Sequence, residues 1–174
     1  MEILFTHSNM PLSKIIMWGL NEPVSHFVLV FDNHWIIQSN LLGISSSWLT
    51  SFKKHSEIIY AIHLNLPKET ENEILKKIMD NFDGSPYGWG EFLFFTWRTI
   101  LKKLFKMPFP NKNKWGSKKG FLCTELFSFL PSDFVPVEIK NKDLAMVSPY
   151  NLYNLCLKYH LGRSENAYIL SGEF

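Results

Sequence analysis

A mixed α+β fold is expected for this 174-residue chain from three observations. Two β-branched and aromatic runs, residues 24–31 and 35–38, flank Asp32-Asn33-His34, and Asp and Asn tolerate the dihedrals of a tight hairpin turn. Residues 68–82 carry Ile74, Leu75, Ile78, Met79 and Phe82 at three- and four-residue spacing, the helical period. Strand-like and helix-like segments then follow one another without βαβ regularity, which argues against a parallel sheet.

Taken in order, residues 2–6 alternate weakly and read as a short strand. Residues 11–18 form a brief helix with Pro11 in its first turn, where the missing N–H does no harm. The hairpin strands come next. Residues 57–66 make a third strand closed by Pro67, and helix 68–82 ends at Asp83-Gly84. Residues 91–106 form a second helix with Leu93, Trp97, Ile100 and Leu104 on one face, stopped by Pro108 and Pro110. A polar, basic loop at 111–120 leads to a short helix at 121–130 and a strand at 135–139. Ser148 followed by Pro149 starts a last helix, 150–160. One domain spans 1–161, and 162–174 read as a C-terminal tail.

Hydrophobic residues at 46% and charged residues at 20% predict a packed core. The aromatic content, 16% with fifteen Phe and six Trp, predicts a wide buried or partner-facing surface. Two cysteines make no disulfide framework, the N-terminus has no secretory pattern, and no apolar run approaches the ~18 residues of a membrane span. A chain of a reducing compartment is expected. Net charge is only +2, but residues 92–124 hold eight Lys or Arg and no Asp or Glu, a bias that points to an anionic partner.

Cys123 stands at a helix start after Gly120. Unpaired amides, the helix dipole, Lys118 and Lys119 favour its thiolate there, while Glu125 opposes it. The same amides can hold an oxyanion. Its other reading is a small buried hydrophobe, which is also the reading for Cys156 inside an amphipathic helix. His26 opens a strand on the face of Val28 and Val30, rigidly held as a general base must be, or half-buried and bonded to backbone. His63 competes from mid-strand, His7, His34 and His55 read as loop or terminal residues, and His160 sits near a helix C-terminus. A three-residue hairpin loop pairs Val28 with Gln38 and puts Gln38 beside His26, whereas a two-residue loop sends it to the opposite face. No zinc-ligand spacing, phosphate-binding glycine loop or carboxylate pair is present, so no metal or organic cofactor is expected.

The ordered set Ser25-His26-Phe27-Val28-Leu29-Val30, Trp35-Ile36-Ile37-Gln38 and Gly43-Ile44 resembles the histidine half of the permuted papain-like cysteine hydrolases. This is the YiiX-type branch of the NlpC clan, related to lecithin:retinol acyltransferase-like proteins. Phe121-Leu122-Cys123-Thr124-Glu125-Leu126 resembles their Cys-x-Glu helix start. Ser85-Pro86-Tyr87-Gly88 resembles the Pro-Tyr element, with Gly88 where Asp is common. Val147-Ser148-Pro149-Tyr150-Asn151-Leu152 resembles the closing Thr-Pro-x-Asp-Leu element. The resemblance implies a small antiparallel sheet packed against the cysteine helix, Cys123 as nucleophile, His26 as base facing it, and Gln38 as the orienting third residue, where relatives carry an acid or a second histidine.

The substrate classes implied are peptide, peptidoglycan-like or lipid-like acyl compounds, in a cytoplasmic or virion-associated protein. The alternatives are a non-catalytic binding or structural protein of viral or phage type, or a lipid-directed acyl hydrolase or acyltransferase. The segment 92–119 borders the Cys123 groove in this reading and has the composition of an interfacial helix facing an anionic membrane, or else packs on the core with Phe92, Trp97, Ile100 and Leu104 buried. Nucleic acid is not expected, because the aromatics are not interleaved for base stacking.

Overall fold

The sheet grows outward from the hairpin. In the computed structural model, which describes residues 1–108, 112, 114–115, 120–161 and 163–166, β2 (His26–Phe31) pairs with β3 (Trp35–Asn40). Phe31 stands opposite Trp35 and Val28 opposite Gln38, the register of a three-residue loop. Asp32 and Asn33 take positive φ of 51° and 58°, the conformation their side chains tolerate. β1 (Glu2–Ser8) lies on the other side of β2, β5 (Ser56–His63) beyond it, and β4 (Gly43–Trp48) outside β3. With β6 (Arg163–Asn166) the order is β4-β3-β2-β1-β5-β6, every ladder antiparallel.

Two parts of this sheet differ from the sequence reading. β4 was not foreseen because Gly-Ile-Ser-Ser-Ser-Trp has few β-branched or aromatic residues to signal a strand. Residues 163–166, expected in the tail, extend the edge of β5. The rest of that tail lies outside the described residues, as do 109–111, 113 and 116–119 of the basic loop, with Lys118 and Lys119 among them.

The sheet is covered on both faces, which is why β2 reads as an almost unbroken apolar run. On one face Ile3, Phe5, Phe27, Leu29 and Ile37 meet a large core supplied by α3 (Lys68–Phe82), a 3-10 helix at Cys123–Phe129 and α6 (Pro149–Lys158). Phe127 is fully buried there and its ring meets Phe27 edge-on, centroids 6.3 Å apart. On the other face Leu4, Val28, Val30 and Ile36 pack under Phe52 of the short helix α2 (Leu49–Phe52). His26 and Gln38 belong to this second face by alternation.

α1 (Pro11–Leu20) and α4 (Trp89–Phe105) cross where Gly19 meets Thr99, so closely that a β-carbon on Gly19 would strike the Thr99 methyl. The strand expected at 135–139 is instead the helical turn α5 (Val137–Lys140), because Pro136 supplies the N-cap and ends the extended run. The expected helix at 121–130 is a 3-10 helix of seven residues.

Gly43 turns the chain from β3 into β4 at φ 115°, and a β-carbon there would collide with the Ser85 carbonyl oxygen. Gly43→Ala should therefore lower unfolding stability by roughly 2 kcal/mol or more, from strain plus displacement of the 82–86 segment. Chemical denaturation will check this, and an unchanged midpoint would contradict the close approach.

Candidate functional site

The segment before Cys123 is clamped by backbone from the Pro-Tyr element. Phe121 N–H donates to Pro86 O at 3.3 Å, Gly88 N–H donates to Phe121 O at 3.2 Å, and Ser39 Oγ donates to the same Phe121 carbonyl at 2.5 Å. Gly88 and Gly120 pass so close that a β-carbon on Gly120 would lie 2.6 Å from Gly88 Cα. One on Gly88 would meet the tip of the Glu91 side chain, Oε2, at 2.9 Å. Ile44 N–H donates to Ser85 O at 2.9 Å and ties the element to β4. Beyond Cys123, Thr124 Oγ1 donates to Leu144 O at 2.8 Å, and Glu125 Oε2 accepts from Leu122 N–H at 2.6 Å, closing the start of the 3-10 helix.

The sulfur occupies the place where β2 and β3 part. Their ladder ends at the Val28–Gln38 pair, and the next amide on β2, that of Phe27, favours the Cys123 thiolate, as do the amides of Thr124 and Cys123 itself. His26 lies one residue further. Its Nε2–H donates to Gln38 Oε1 at 3.1 Å, so Nδ1 keeps the lone pair that can take a proton. The hairpin register thus brings Gln38 to His26 as expected. Cys123 arrives at the same end of β2, but its 3-10 helix packs on the Phe27 face whereas His26 belongs to the other, so the expected facing pair is not formed: among the described residues no hydrogen bond joins the thiol to the imidazole.

The electrostatics overturn one expectation. Burial pushes the Cys123 thiol up to about 11, with Glu125 adding to the rise, and the three amides only partly offset it. The sequence reading had the thiol lowered by a helix dipole. A seven-residue 3-10 helix provides little aligned dipole, and desolvation penalises the thiolate more. Burial likewise lowers the His26 pKa, with the Gln38 bond acting the other way. Both partners therefore rest uncharged at neutral pH.

Glu125 is pushed up to about 7, first by burial and then by Glu91 and Asp143, against the Leu122 N–H that favours its charge. Burial raises the Tyr87 phenol strongly, and the charges of Cys123 and Glu125 add to this.

A cavity of about 220 Å³ opens at His26 and Gln38, with Thr6, Ser13, Ser25 and Tyr87 in its wall. Cys123 is not among its lining residues. Ser13 Oγ and Ser25 Oγ hydrogen-bond at 2.5 Å, and Thr6 Oγ1 is buried with no partner. The sequence reading missed these hydroxyls, since single Ser and Thr residues carry no periodic signal. Only the pairing of Thr6 with His26 across β1 and β2 would have exposed one of them.

The competing residues lie elsewhere. His63 is paired with Glu2 at 2.8 Å, and His7, expected in a loop, lies inside β1 facing Glu57 at 3.5 Å. Cys156 is fully buried in the main core, as expected. Among the described residues no cluster of three His, Cys, Asp or Glu forms a metal site, and no helix is long and apolar enough to cross a membrane. Of the segment 92–119 expected beside Cys123, Phe92 of α4 packs on Leu122 and lines the His26 cavity, while 109–111, 113 and 116–119 lie outside the described residues. Comparison with protein-family models, with curated proteins and with solved structures finds no match.

The Glu125 shift fixes a sign for stability against pH. Its folded pKa is raised from 4.5 to about 7, so the stability it lends is present below pH 4.5 and is lost as pH rises through 7. Glu125→Gln, which keeps an acceptor for Leu122 N–H, should remove that loss, worth on the order of 2 kcal/mol after allowance for solvent. Thermal unfolding of both proteins across pH 4–8 will test it, with curves that stay parallel as the contrary result.

Proposed function

We propose that this chain is a cysteine hydrolase of the permuted papain-like type, cleaving an amide or ester bond with Cys123 as nucleophile, His26 as general base and Gln38 as the residue that orients the imidazole. The observation that carries the reading is the 3.1 Å His26–Gln38 bond at the end of β2 where the Cys123 segment meets the sheet. Support for the fold assignment comes from the antiparallel sheet, the cysteine-headed 3-10 helix packed on it, and the Pro-Tyr element and the end of β3 both hydrogen-bonding to Phe121.

Because both groups rest uncharged, the thiol would surrender its proton to His26 Nδ1 as the sulfur attacks the substrate carbonyl, not beforehand. Gln38 Oε1 would keep the Nε2 proton in place and the ring in register, giving the imidazolium less stabilisation than a carboxylate would. The Cys123 and Thr124 amides, which favour the thiolate, would serve as donors to the oxyanion. His26 would return its proton to the leaving amine or alkoxide. Water, deprotonated by the same ring, would then release the acyl group and restore the thiol. The substrate would be a peptide, peptidoglycan-like or lipid-like acyl compound entering beside the cavity at His26.

The raised thiol and the missing Cys123–His26 hydrogen bond favour a second reading, a binding or structural protein on the same scaffold. Alkylation separates the two without a known substrate. If His26 serves Cys123, iodoacetamide should modify Cys123 at neutral pH, and His26→Ala should slow that reaction roughly 10-fold or more. A rate that is insensitive to His26 and climbs only as pH approaches 11 would leave a scaffold.

On a true substrate, Cys123→Ala should abolish hydrolysis with the fold intact, and Gln38→Ala should cut kcat by roughly 10–100-fold with little change in stability. Cys156→Ala should leave turnover unchanged, so loss of activity there would move the nucleophile.

A further inference from the structure

Helix α4 is apolar on two sides. Phe92, Phe95 and Thr99 are buried inward, whereas Trp89, Leu93, Trp97 and Leu104 point outward, Leu93 54%, Trp97 50% and Leu104 60% exposed. This corrects the core-packing expectation for Trp97 and Leu104, of which only the Phe92 part holds. Residues 89, 93, 97, 100 and 104 fall within one stripe at helical spacing, so the outward side chains form a ridge along the helix. α1 lies alongside and adds Ile15 and Trp18, 40% and 53% exposed, with Lys103 Nζ 5.7 Å over the Trp18 ring. Ridge and neighbour therefore share one surface.

Cations gather at the far end of that surface. Lys102, Lys103 and Lys106 are exposed there, and Arg98 is anchored on the Pro108 carbonyl at 2.7 Å. No Asp or Glu occurs between residues 92 and 124, and Glu22, which feels Lys102, is turned toward Ser148. At the near end Trp89 packs edge-on against Tyr87, centroids 5.4 Å apart, and Tyr87 and Met10 both line the His26 cavity.

We propose that the outer face of α4, with Ile15 and Trp18 of α1, docks on an anionic lipid bilayer, the aromatic and leucine ridge entering the headgroup boundary and the lysine end meeting acidic headgroups. Indole rings have an apolar body and one N–H donor, which suits a boundary that is wet on one side. Lysine stems can lie along the ridge while their ammonium groups reach the phosphates. A second copy of the chain fits poorly, because an isologous contact through this face would bring the two lysine ends into one interface. Docking would also put the mouth of the His26 cavity near the lipid surface.

Co-sedimentation of the full chain with vesicles tests this, using phosphatidylcholine alone and phosphatidylcholine with phosphatidylserine, at low and at physiological salt. Binding should require phosphatidylserine and weaken with salt. The Leu93→Ser, Trp97→Ser double variant should lose roughly 10-fold or more in partitioning, as expected for withdrawing two large apolar groups. Lys102→Gln, Lys103→Gln and Lys106→Gln together should lose roughly 10-fold or more on anionic vesicles and flatten the salt response. Trp48→Ala, at the opposite sheet edge, should bind as wild type. So should Cys123→Ala, which keeps the result independent of the hydrolase reading. The lysine variant decides the matter if the double variant fails to fold. Absence of vesicle binding, equal and salt-insensitive binding to both lipids, or a wild-type dimer that Trp97→Ser converts to a monomer would each overturn the proposal.

Discussion

The parting of β2 and β3 is the feature on which the site depends. An antiparallel ladder normally spends every inward amide on the neighbouring strand. Here the ladder stops at Val28–Gln38, and the hydroxyl that follows turns to the incoming chain instead: Ser39 Oγ donates to the Phe121 carbonyl, while the Phe27 amide favours the Cys123 thiolate. The cysteine segment is thus held as a short extra partner of the sheet. Its other edge is held by Pro86 and Gly88, which is why glycines at 88 and 120 permit the approach. A buried backbone group left unpaired here would be costly, so the segment has few alternative positions.

That placement sets the electrostatics. A half-buried sulfur at the end of a sheet has lost much of its water, and the nearby amides only partly restore that solvation, so the thiol stays protonated. The carboxylates beneath push the same way. Glu91 and Asp143 raise Glu125, and Glu125 in turn acts on Cys123 and Tyr87. A neighbourhood that suppresses both thiolate and imidazolium is coherent: neither charge forms without the other, and transfer of one proton from sulfur to ring would create the two together. Within the proposed mechanism, charge separation is therefore confined to the moment of attack.

The hairpin was legible because its turn residues and its register follow from local chemistry: Asp32 and Asn33 carry their own dihedral preference, and Gln38 then falls beside His26 by counting. Helix α3 was legible from its period. What failed was decided by partners distant in sequence. The Cys123 helix was read as α-helical with a useful dipole, yet its shape follows from Thr124 bonding Leu144 and Glu125 folding back on Leu122, contacts that no local pattern announces. Strand β4 has a serine-rich sequence and becomes a strand because β3 offers it a free edge. The hydroxyls around the cavity come from β1, α1 and the start of β2, and only the assembled sheet collects them.

Helix α4 shows the same limit from the other side. Its apolar residues are distributed almost all round, and the period alone cannot say which stripe faces the core. The crossing at Gly19 and Thr99 settles it: a residue without a side chain on α1 admits the Thr99 flank and fixes the rotation of α4 about its axis. With Thr99 inward, Phe92 and Phe95 follow onto the same side, and Leu93, Trp97 and Leu104 are carried outward. The exposed ridge is thus a geometric consequence of one close helix contact. Small side chains at that contact suffice to seat the helix, so the outward tryptophans and leucines contribute little to folding. Their presence on a solvent-facing stripe, next to lysines and unbroken by acids, is what the proposed lipid surface would match with both its apolar and its anionic half.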